Sequence, residues 1–160
     1  MNKFCFIDSP IGVLKLEAES DYISKIKFKD SDSLKLCKES RQNDESPILI
    51  KASKQINEYF NGTRKVFEIQ FKLNLTPFYN KVLLEVKKIK YGDVVSYGKI
   101  ARILRNNKAV RAVGTANAKN PIPIIIPCHR VISSNGNLGG YTGGLDIKSF
   151  LLKHESNLLH

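Results

Sequence analysis

The first third of the chain alternates apolar and polar residues with the period of two that is typical of β-strands. A turn is predicted between the first two strands, because Ser9–Pro10 and Gly12 interrupt the pattern there. The stretch 30–46 is polar and is predicted to be a loop. The predicted strands are Phe4–Ile7, Val13–Ala18 and Ile23–Phe28.

The pattern then changes to helical spacing. Pro47 suits the first position of a helix, and the apolar residues that follow it recur on one helical face, at Ile48, Ala52, Ile56 and Tyr59. Asn61–Gly62 is expected to end this helix, and Val66–Phe71 is predicted to be a further strand. These elements together predict an N-terminal α/β domain of sheet and helix over residues 1–75.

The second half, residues 76–160, is predicted to be a mostly helical C-terminal domain. Thr76 suits a helix N-cap and Pro77 the first helical position. One apolar face then repeats at Phe78, Val82, Val86 and Ile89, until Tyr91–Gly92 breaks the pattern.

Two short helices, Tyr97–Arg105 and Ala109–Ala118, are predicted on either side of a turn at Asn106–Asn107, with Ser96 capping the first. This arrangement is typical of a helix-turn-helix, although an ordinary helical hairpin with a solvated basic face has the same pattern. The second helix is rich in small residues that would let a nucleic acid approach closely: Ala112, Gly114 and Ala116. Basic residues supply charge at Lys99, Arg102, Arg105, Lys108 and Arg111.

Residues 120–127 contain three prolines and four isoleucines. Prolines exclude a regular helix, so an extended, rigid and buried segment is predicted here. It leads directly into Cys128-His129-Arg130. A glycine-rich loop over 133–144 and a final helix, Asp146–His154, complete the predicted elements.

Charge and composition narrow the class of protein. The chain has 160 residues and a net charge of +11. Residues 1–80 carry 13 Lys and Arg against 11 Asp and Glu, whereas residues 81–160 carry 13 against 4. The basic second half therefore favours a nucleic-acid partner. No uncharged apolar stretch reaches the roughly 18 residues of a membrane span, so no membrane partner is expected.

Cysteine and histidine usage favours a reducing compartment without a metal site. There are three cysteines, Cys5, Cys37 and Cys128, and an odd number indicates no disulfide framework. The start of the chain lacks the apolar core of a signal peptide, so a cytoplasmic location is expected. No CxxC pair is present, and the first half contains no histidine. We therefore expect no metal ligands and no cofactor.

Cys128 is a candidate nucleophile. A reactive thiolate needs a nearby base or positive charge, and His129 follows it directly. On an extended strand the two side chains would point apart, so another turn of chain or a water must connect them. Asp146 or Glu155 could orient the histidine in a cysteine–histidine–acid relay. A buried, inert cysteine is the alternative interpretation.

Pro127-Cys128-His129-Arg130-Val131 resembles the active-site motif of the O6-alkylguanine-DNA alkyltransferases. Further segments resemble that family in the same order along residues 95–155. They are Val95-Ser96-Tyr97-Gly98, Arg111-Ala112-Val113-Gly114, Asn120-Pro121-Ile122-Pro123, Gly139-Gly140-Tyr141-Thr142-Gly143-Gly144-Leu145 and Leu151-Leu152-Lys153-His154-Glu155. The first half is similar only loosely, through Asp8-Ser9-Pro10-Ile11-Gly12 and its predicted α/β content. The resemblance implies a ribonuclease H-like N-terminal domain.

The resemblance also implies a reaction. Cys128 would take the alkyl group from O6 of guanine, or from O4 of thymine, and each molecule would react once. His129 would act as the base through a water, with Glu155 orienting it. Asn120 would cap the turn before the site. Tyr97 would press on the phosphate 3′ to the lesion and donate to N3 of guanine.

The same resemblance implies DNA and pocket contacts. Arg111 would insert into the base stack of double-stranded DNA, and the other expected DNA contacts are Ala112, Gly114 and Thr115. The expected pocket residues are Tyr141, Thr142, Pro123 and Asn117. The chain departs from the family where Thr142 replaces a common Ser, Phe150 a common Trp, and Asn117 a Met of some members. The protein is expected to act as a monomer.

Two other functions fit parts of the sequence. A DNA-binding regulator would use the helix-turn-helix without chemistry, and it would leave Cys128, His129 and Glu155 unexplained. A cysteine–histidine hydrolase would turn over repeatedly, and it would leave the basic second half unexplained. An assay of alkyl transfer from DNA separates both from a repair protein.

Overall fold

The computed structural model describes residues 2–29 and 44–157. The chain divides into two compact units, Met1–Leu73 and Asn74–His160, where the sequence pattern placed the division after residue 75. The first unit holds a sheet and a helix and the second is mostly helical, so the predicted fold class is confirmed. Most of the predicted loop over 30–46, with Cys37, lies outside the described residues.

The first unit contains a three-stranded antiparallel sheet in the order β1-β2-β3. The strands are β1 (Lys3–Ser9), β2 (Gly12–Glu19) and β3 (Tyr22–Lys29), which confirms the three predicted strands and lengthens each. Cys5 pairs across the ladder with Leu16. The alternation follows from burial of one face, and the buried side chains include Cys5, Leu14, Leu16, Ala18 and Ile26.

Helix α1 (Pro47–Phe60) packs against all three strands. It begins at the predicted proline and ends before Gly62, which has a φ of +80° that favours glycine. Its inward residues repeat at helical spacing and are 0–1% exposed: Leu49, Ala52, Ile56 and Tyr59.

The predicted strand Val66–Phe71 is wrong. This segment joins β3 only at an isolated bridge between Ile23 and Phe71. Phe67 and Ile69 are buried as their apolar character requires. The backbone of Glu68 is instead bonded by the side chain of Gln55, whose Oε1 accepts from its N–H at 2.9 Å. A side chain of α1 thus replaces a strand partner.

The second unit begins with α2 (Pro77–Lys87), whose N-cap Thr76 accepts a hydrogen bond from the N–H of Tyr79 at 3.3 Å. The first helix of the predicted helix-turn-helix ends at Ile103, two residues early, because Arg105 takes a φ of +57°. The remaining elements are β4 (Val95–Ser96), α3 (Tyr97–Ile103), α4 (Val110–Ala118), β5 (Val131–Ile132) and α5 (Leu145–Asn157), with β4 and β5 paired in parallel.

The prediction of an extended segment over 120–127 is wrong. The chain folds there into a buried turn, in which the N–H of Ile126 donates to the carbonyl of Ile122 at 3.0 Å. Ile124 takes a φ of +74° at its centre. The side chain of Asn120 bonds both ends, donating to Ile126 O at 2.8 Å and accepting from Ile122 N at 3.0 Å. The prolines exclude a helix but not a turn.

No helix within residues 2–29 and 44–157 is both long and apolar enough to cross a membrane.

Candidate active site and nucleic-acid interface

Cys128 lies on a single turn of 3-10 helix, Cys128–Arg130, between the buried turn and β5. The expectation that it lies on an extended strand is therefore wrong. Cys128 is 3% exposed and His129 is fully buried. Asn117 of α4 donates from Nδ2 to the carbonyl of Cys128 at 3.2 Å, so α4, the second helix of the helix-turn-helix, holds the backbone of this turn.

His129 meets Glu155 of α5. Their Nε2 and Oε1 atoms lie 2.7 Å apart, and both side chains are buried. Burial alone would raise the pKa of Glu155, but hydrogen bonds from His129 and Arg130 outweigh it and hold that pKa well below its usual range. An ionised carboxylate only accepts, so His129 donates from Nε2.

The free lone pair of His129 is therefore on Nδ1. This nitrogen is buried and makes no hydrogen bond within the described part of the chain. Burial, opposed by Glu155 and assisted by Arg130 and Lys148, lowers the pKa of His129. The imidazole is thus an oriented, uncharged base on the same turn as the candidate nucleophile.

Arg130 belongs to the site, although sequence reasoning assigned it no role. Its Nε donates to Glu155 Oε2 at 2.9 Å and its Nη2 donates to Glu155 Oε1 at 2.9 Å. Its Nη1 donates to the carbonyl of Ile89 at 2.6 Å. Its place inside the Pro-Cys-His-Arg-Val motif was the available signal.

Lys148 of α5 is the second residue that sequence reasoning missed. It is fully buried and its Nζ donates to the carbonyls of Val131 at 2.7 Å, of Gly140 at 3.3 Å and of Leu138. Burial lowers its pKa to about 8, although the nearby Cys128 opposes that shift. Lys148 precedes Glu155 by seven residues, which is two helical turns, so helical spacing could have found it.

Burial raises the pKa of the Cys128 thiol to about 11. Hydrogen bonds from Asn120 and Tyr141 and the charge of Lys148 act in the opposite direction. Burial, together with the nearby Cys128, raises the pKa of Tyr141, so its hydroxyl stays protonated and can donate. Burial thus keeps the thiol protonated, and the polar and charged groups around it oppose that effect.

A cavity of about 690 Å³ lies between α4 and the glycine-rich loop. Pro123 and Ala112 do not line it: Pro123 is buried in the turn before Cys128, and Ala112 is half-buried on α4. Seven of the predicted site residues do line it: Tyr97, Arg111, Gly114, Thr115, Asn117, Tyr141 and Thr142. The other five lining residues were not among the predicted site residues: Ala118, Lys119, Ser133, Gly139 and Gly140.

Tyr97 and the loop approach each other closely at this cavity. A Cβ at Gly139 would lie 2.7 Å from the hydroxyl of Tyr97, and the φ of Gly139 is +72°. Only glycine fits such an approach. The hydroxyl of Thr142 donates to the carbonyl of Ala118 at 2.7 Å, which ties the loop to the end of α4.

The outer surface of α3 and α4 is basic. Arg111 on α4 is exposed beside the cavity. The exposed cations around it are Lys99, Arg102, Arg105 and Lys108. Cys128 does not itself line the cavity, but Tyr141, which hydrogen-bonds its thiol, does. A cationic helix pair beside such a cavity fits a polyanionic substrate.

Comparisons with known proteins agree across both units. The chain matches the family models of the 6-O-methylguanine DNA methyltransferase ribonuclease-like domain over residues 2–73 and of its DNA binding domain over residues 77–157. It is similar to the methylated-DNA–protein-cysteine methyltransferase of Methanosarcina acetivorans, with 41% identity over 96% of this chain and 98% of that protein. The constitutive methylated-DNA–protein-cysteine methyltransferase of Bacillus subtilis is 40% identical, over 97% of this chain and 96% of that protein.

A solved structure is also similar over both units. The crystal structure of Mycobacterium tuberculosis OGT in complex with DNA has a TM-score of 0.85 and 36% identity, covering 98% of this chain and 94% of that one. An O6-methylguanine DNA methyltransferase from Methanococcus jannaschii has a TM-score of 0.67 and 29% identity, covering 94% and 92%.

Proposed function

Because the chain belongs to the 6-O-methylguanine DNA methyltransferase family and repairs DNA by transferring an alkyl group to a cysteine of its own, we propose that Cys128 is the acceptor. We propose O6-alkylguanine in double-stranded DNA as the substrate, with O4-alkylthymine as a second lesion. The observation that carries this assignment is the buried 2.7 Å bond between His129 Nε2 and Glu155 Oε1 beside the thiol.

In the proposed reaction His129 Nδ1 takes the thiol proton through a water. The Cys128 thiolate attacks the alkyl carbon opposite O6, so that an S–C bond forms while the C–O6 bond breaks. The electron pair remains on the guanine, and Tyr97 donates a proton to N3 as negative charge develops. The proton lost by the thiol is finally returned to Tyr97, so that guanine keeps the one proton it gained and the tyrosine is again neutral. The thioether is stable, and each molecule therefore reacts once.

Asn120 supports the site by capping the turn before Cys128, through its bonds to Ile122 and Ile126. In the proposed pocket Tyr141 and Thr142 line the wall, with the hydroxyl of Tyr141 near the O6 of the base, because that of Thr142 is already donated to Ala118 O. Asn117 completes its wall, whereas Pro123, which the resemblance also assigned to the pocket, does not line the cavity.

In the proposed DNA complex α4 lies in the minor groove. Its small residues Ala112 and Gly114 permit close approach, and readout there is degenerate, which suits lesions in any sequence. Thr115 is exposed on the same helix. Arg111 fills the stack after the damaged nucleotide has rotated out, which lowers the cost of a few kcal/mol for base flipping.

Arg111→Ala should therefore slow repair of duplex DNA and spare the chemistry. The expected loss is about tenfold, equivalent to about 1.4 kcal/mol of the flipping cost. Transfer from the free base O6-methylguanine, which needs no flipping, should keep the wild-type rate. Single-turnover rates on both substrates provide the measurement, and an equal loss on both would show that Arg111 acts on the pocket or the fold.

We further propose that the protein acts as a monomer in the cytoplasm. Every residue assigned to the reaction comes from the second unit of one chain, and the thiol must stay reduced to react. Sedimentation at micromolar concentration should give the mass of one chain, and a stable dimer would contradict the first part.

Peptide mapping by mass spectrometry after incubation with methylated duplex DNA tests the acceptor. We expect one added methyl group per protein molecule, located on Cys128. A methyl group on Cys5 or Cys37 with Cys128 unmodified would overturn the assignment. Release of more than one equivalent of repaired base would favour the hydrolase alternative, and unmodified protein bound to the DNA would favour the regulator.

A further inference from the structure

We propose that Arg130 is a positioning residue that keeps His129 uncharged before the reaction, by holding Glu155 in one orientation and balancing its charge. The inference rests on the proposed function, in which His129 accepts the thiol proton. Arg130 itself touches neither the thiol nor the cavity, and it is 5% exposed.

Arg130 first determines how Glu155 is oriented. Its guanidinium forms a two-pronged contact, with Nε on Oε2 and Nη2 on Oε1, both at 2.9 Å. Oε1 also meets His129 Nε2 at 2.7 Å, and Oε2 accepts from the backbone N–H of Gly92 at 3.2 Å. Each carboxylate oxygen therefore accepts two hydrogen bonds, which uses its whole capacity. A rotation of the carboxylate would break all four.

Arg130 is in turn fixed from the opposite side. Its Nη1 donates to the carbonyl of Ile89 at 2.6 Å. The ring of Tyr91 lies over the guanidinium, with 5.7 Å between Cζ and the ring centroid. Contacts from the turn after α2 therefore position Arg130. Arg130 in turn positions the Glu155 carboxylate, which orients His129.

The charges of the cluster balance only when Arg130 is included. Glu155 is ionised and Arg130 is always protonated, so the pair is neutral and His129 can stay neutral beside it. Without the guanidinium, the buried carboxylate would face His129 alone, and a buried unpaired charge is strongly unfavourable. The imidazole would then capture a proton to neutralise it, and it would no longer be free to accept one from Cys128.

Other titratable groups around the cluster do not replace Arg130. Lys148 lies on the same helix as Glu155, and its Nζ is bonded to three carbonyls of the loop and β5. Lys87 of α2 lies near the guanidinium, but burial and the repulsion of Arg130 lower its pKa. Among the described residues, the other ionisable groups that interact with the cluster carry no positive charge: Cys128, Tyr91 and Tyr141.

Two variants separate the charge of Arg130 from its geometry. Arg130→Met removes both, whereas Arg130→Lys keeps the charge and loses the two-pronged contact. The measurements are the NMR titration of the His129 imidazole and the pH profile of transfer from the free base O6-methylguanine. Arg64→Met is the matched control, because Arg64 pairs with Glu58 at 2.6 Å in the first unit.

In Arg130→Met, the titration midpoint of His129 and the acidic limb of the rate profile should both move up by about one to three pH units. In Arg130→Lys the midpoint should stay at its wild-type position while the rate falls. A lower rate in Arg130→Met without a moved midpoint would overturn the proposal, as would equal shifts in both variants. Arg64→Met should move neither quantity.

If Arg130→Met does not fold, the folded Arg130→Lys protein tests the proposal instead. A raised titration midpoint of His129 in Arg130→Lys would overturn the role of the arginine charge. The imidazole titration needs no alkyl transfer. It therefore tests Arg130 even if peptide mapping rejects Cys128 as the acceptor.

Discussion

Two buried cysteines in different units have opposite surroundings. Cys5 on β1 and Cys128 on the 3-10 turn are 5% and 3% exposed, and burial raises the pKa of both thiols. Around Cys5, the negative charge of Asp44 raises the pKa further, and among the described residues the hydroxyl of Ser53, 3.4 Å away, is the one group that opposes it. Around Cys128, hydrogen bonds and a buried lysine all favour the anion.

The two thiols also differ in what they can reach. Cys5 projects from the middle of a strand, paired with Leu16 and covered by α1. Cys128 lies beside Tyr141, which lines an open cavity. Burial is therefore common to both thiols. What distinguishes the proposed nucleophile from the core cysteine is the polarity of its neighbours, one of which lines the cavity.

Replacing each of the two cysteines by serine should give the largest difference in effect. Cys128→Ser should abolish alkyl transfer, because a hydroxyl cannot replace the thiolate at this position. Cys5→Ser should keep the transfer rate, with a loss of unfolding free energy of about 1–3 kcal/mol from a buried hydroxyl. Single-turnover transfer from methylated DNA measures the first effect and denaturant unfolding the second. Transfer that survives in Cys128→Ser would reverse the comparison.

Glu155→Gln should lower the transfer rate by about 10²-fold or more, which is the typical contribution of an oriented base. The amide keeps the shape of the carboxylate and removes its charge. The matched control is Glu58→Gln, whose arginine partner lies in the first unit. Its transfer rate should stay at the wild-type value, and an equal loss in both variants would assign the effect to folding.

The same variant predicts a pH dependence of stability. The pKa of Glu155 is depressed in the fold, so its contribution is present above the unfolded value of about 4.3 and is lost as the pH falls through the folded value. At pH 7, Glu155→Gln should cost about 3–5 kcal/mol, since Arg130 loses a buried partner. Unfolding curves at pH 7 and pH 3 should show this difference narrowing, and a constant difference would argue against the ionised pair.

Lys148→Met should lower the transfer rate at pH 7 by about tenfold, because one pKa unit of the thiol corresponds to 1.36 kcal/mol. The rate should recover as the pH is raised, since the thiol still ionises. Lys27→Met, which removes a partner of Glu17 in the first unit, is the control. A loss that is equal at every pH would mean that Lys148 only holds the loop.

Ser53→Ala should have the smallest effect. Removal of its hydroxyl takes away a polar contact that opposes the raised pKa of Cys5, at a cost of about 0.5–1.5 kcal/mol in unfolding free energy. Alkyl transfer should be unchanged. A change in transfer rate would mean that the surroundings of Cys5 affect the reaction.

Local signals in the sequence located most of the regular elements. Pro47, Thr76 and Ser96 mark the starts of three helices because their preferences act on the nearest backbone groups. Period-two burial gave three correct strands. The strand predicted at Val66–Phe71 failed because its apolar pattern describes burial, whereas pairing depends on Gln55, which is 13 residues away in the chain.

The sequence by itself determined the motif, its order and its residue types. It left Asp146 and Glu155 as possible partners of His129, and only the resemblance favoured Glu155. The tertiary structure brings Glu155 to His129 across 26 residues, and it turns the inward face of α5 so that Lys148 reaches the loop.

What only the tertiary structure decided is the electrostatic balance of the site. Three prolines predicted an extended approach to Cys128, but packing of four isoleucines folds it into a turn that Asn120 closes. Arg130 and Lys148 are charged residues, and a charge by itself predicts exposure. Their partners are backbone carbonyls and a carboxylate that lie far away along the chain. Burial of a charge is possible only where such distant groups converge, and convergence is a property of the fold.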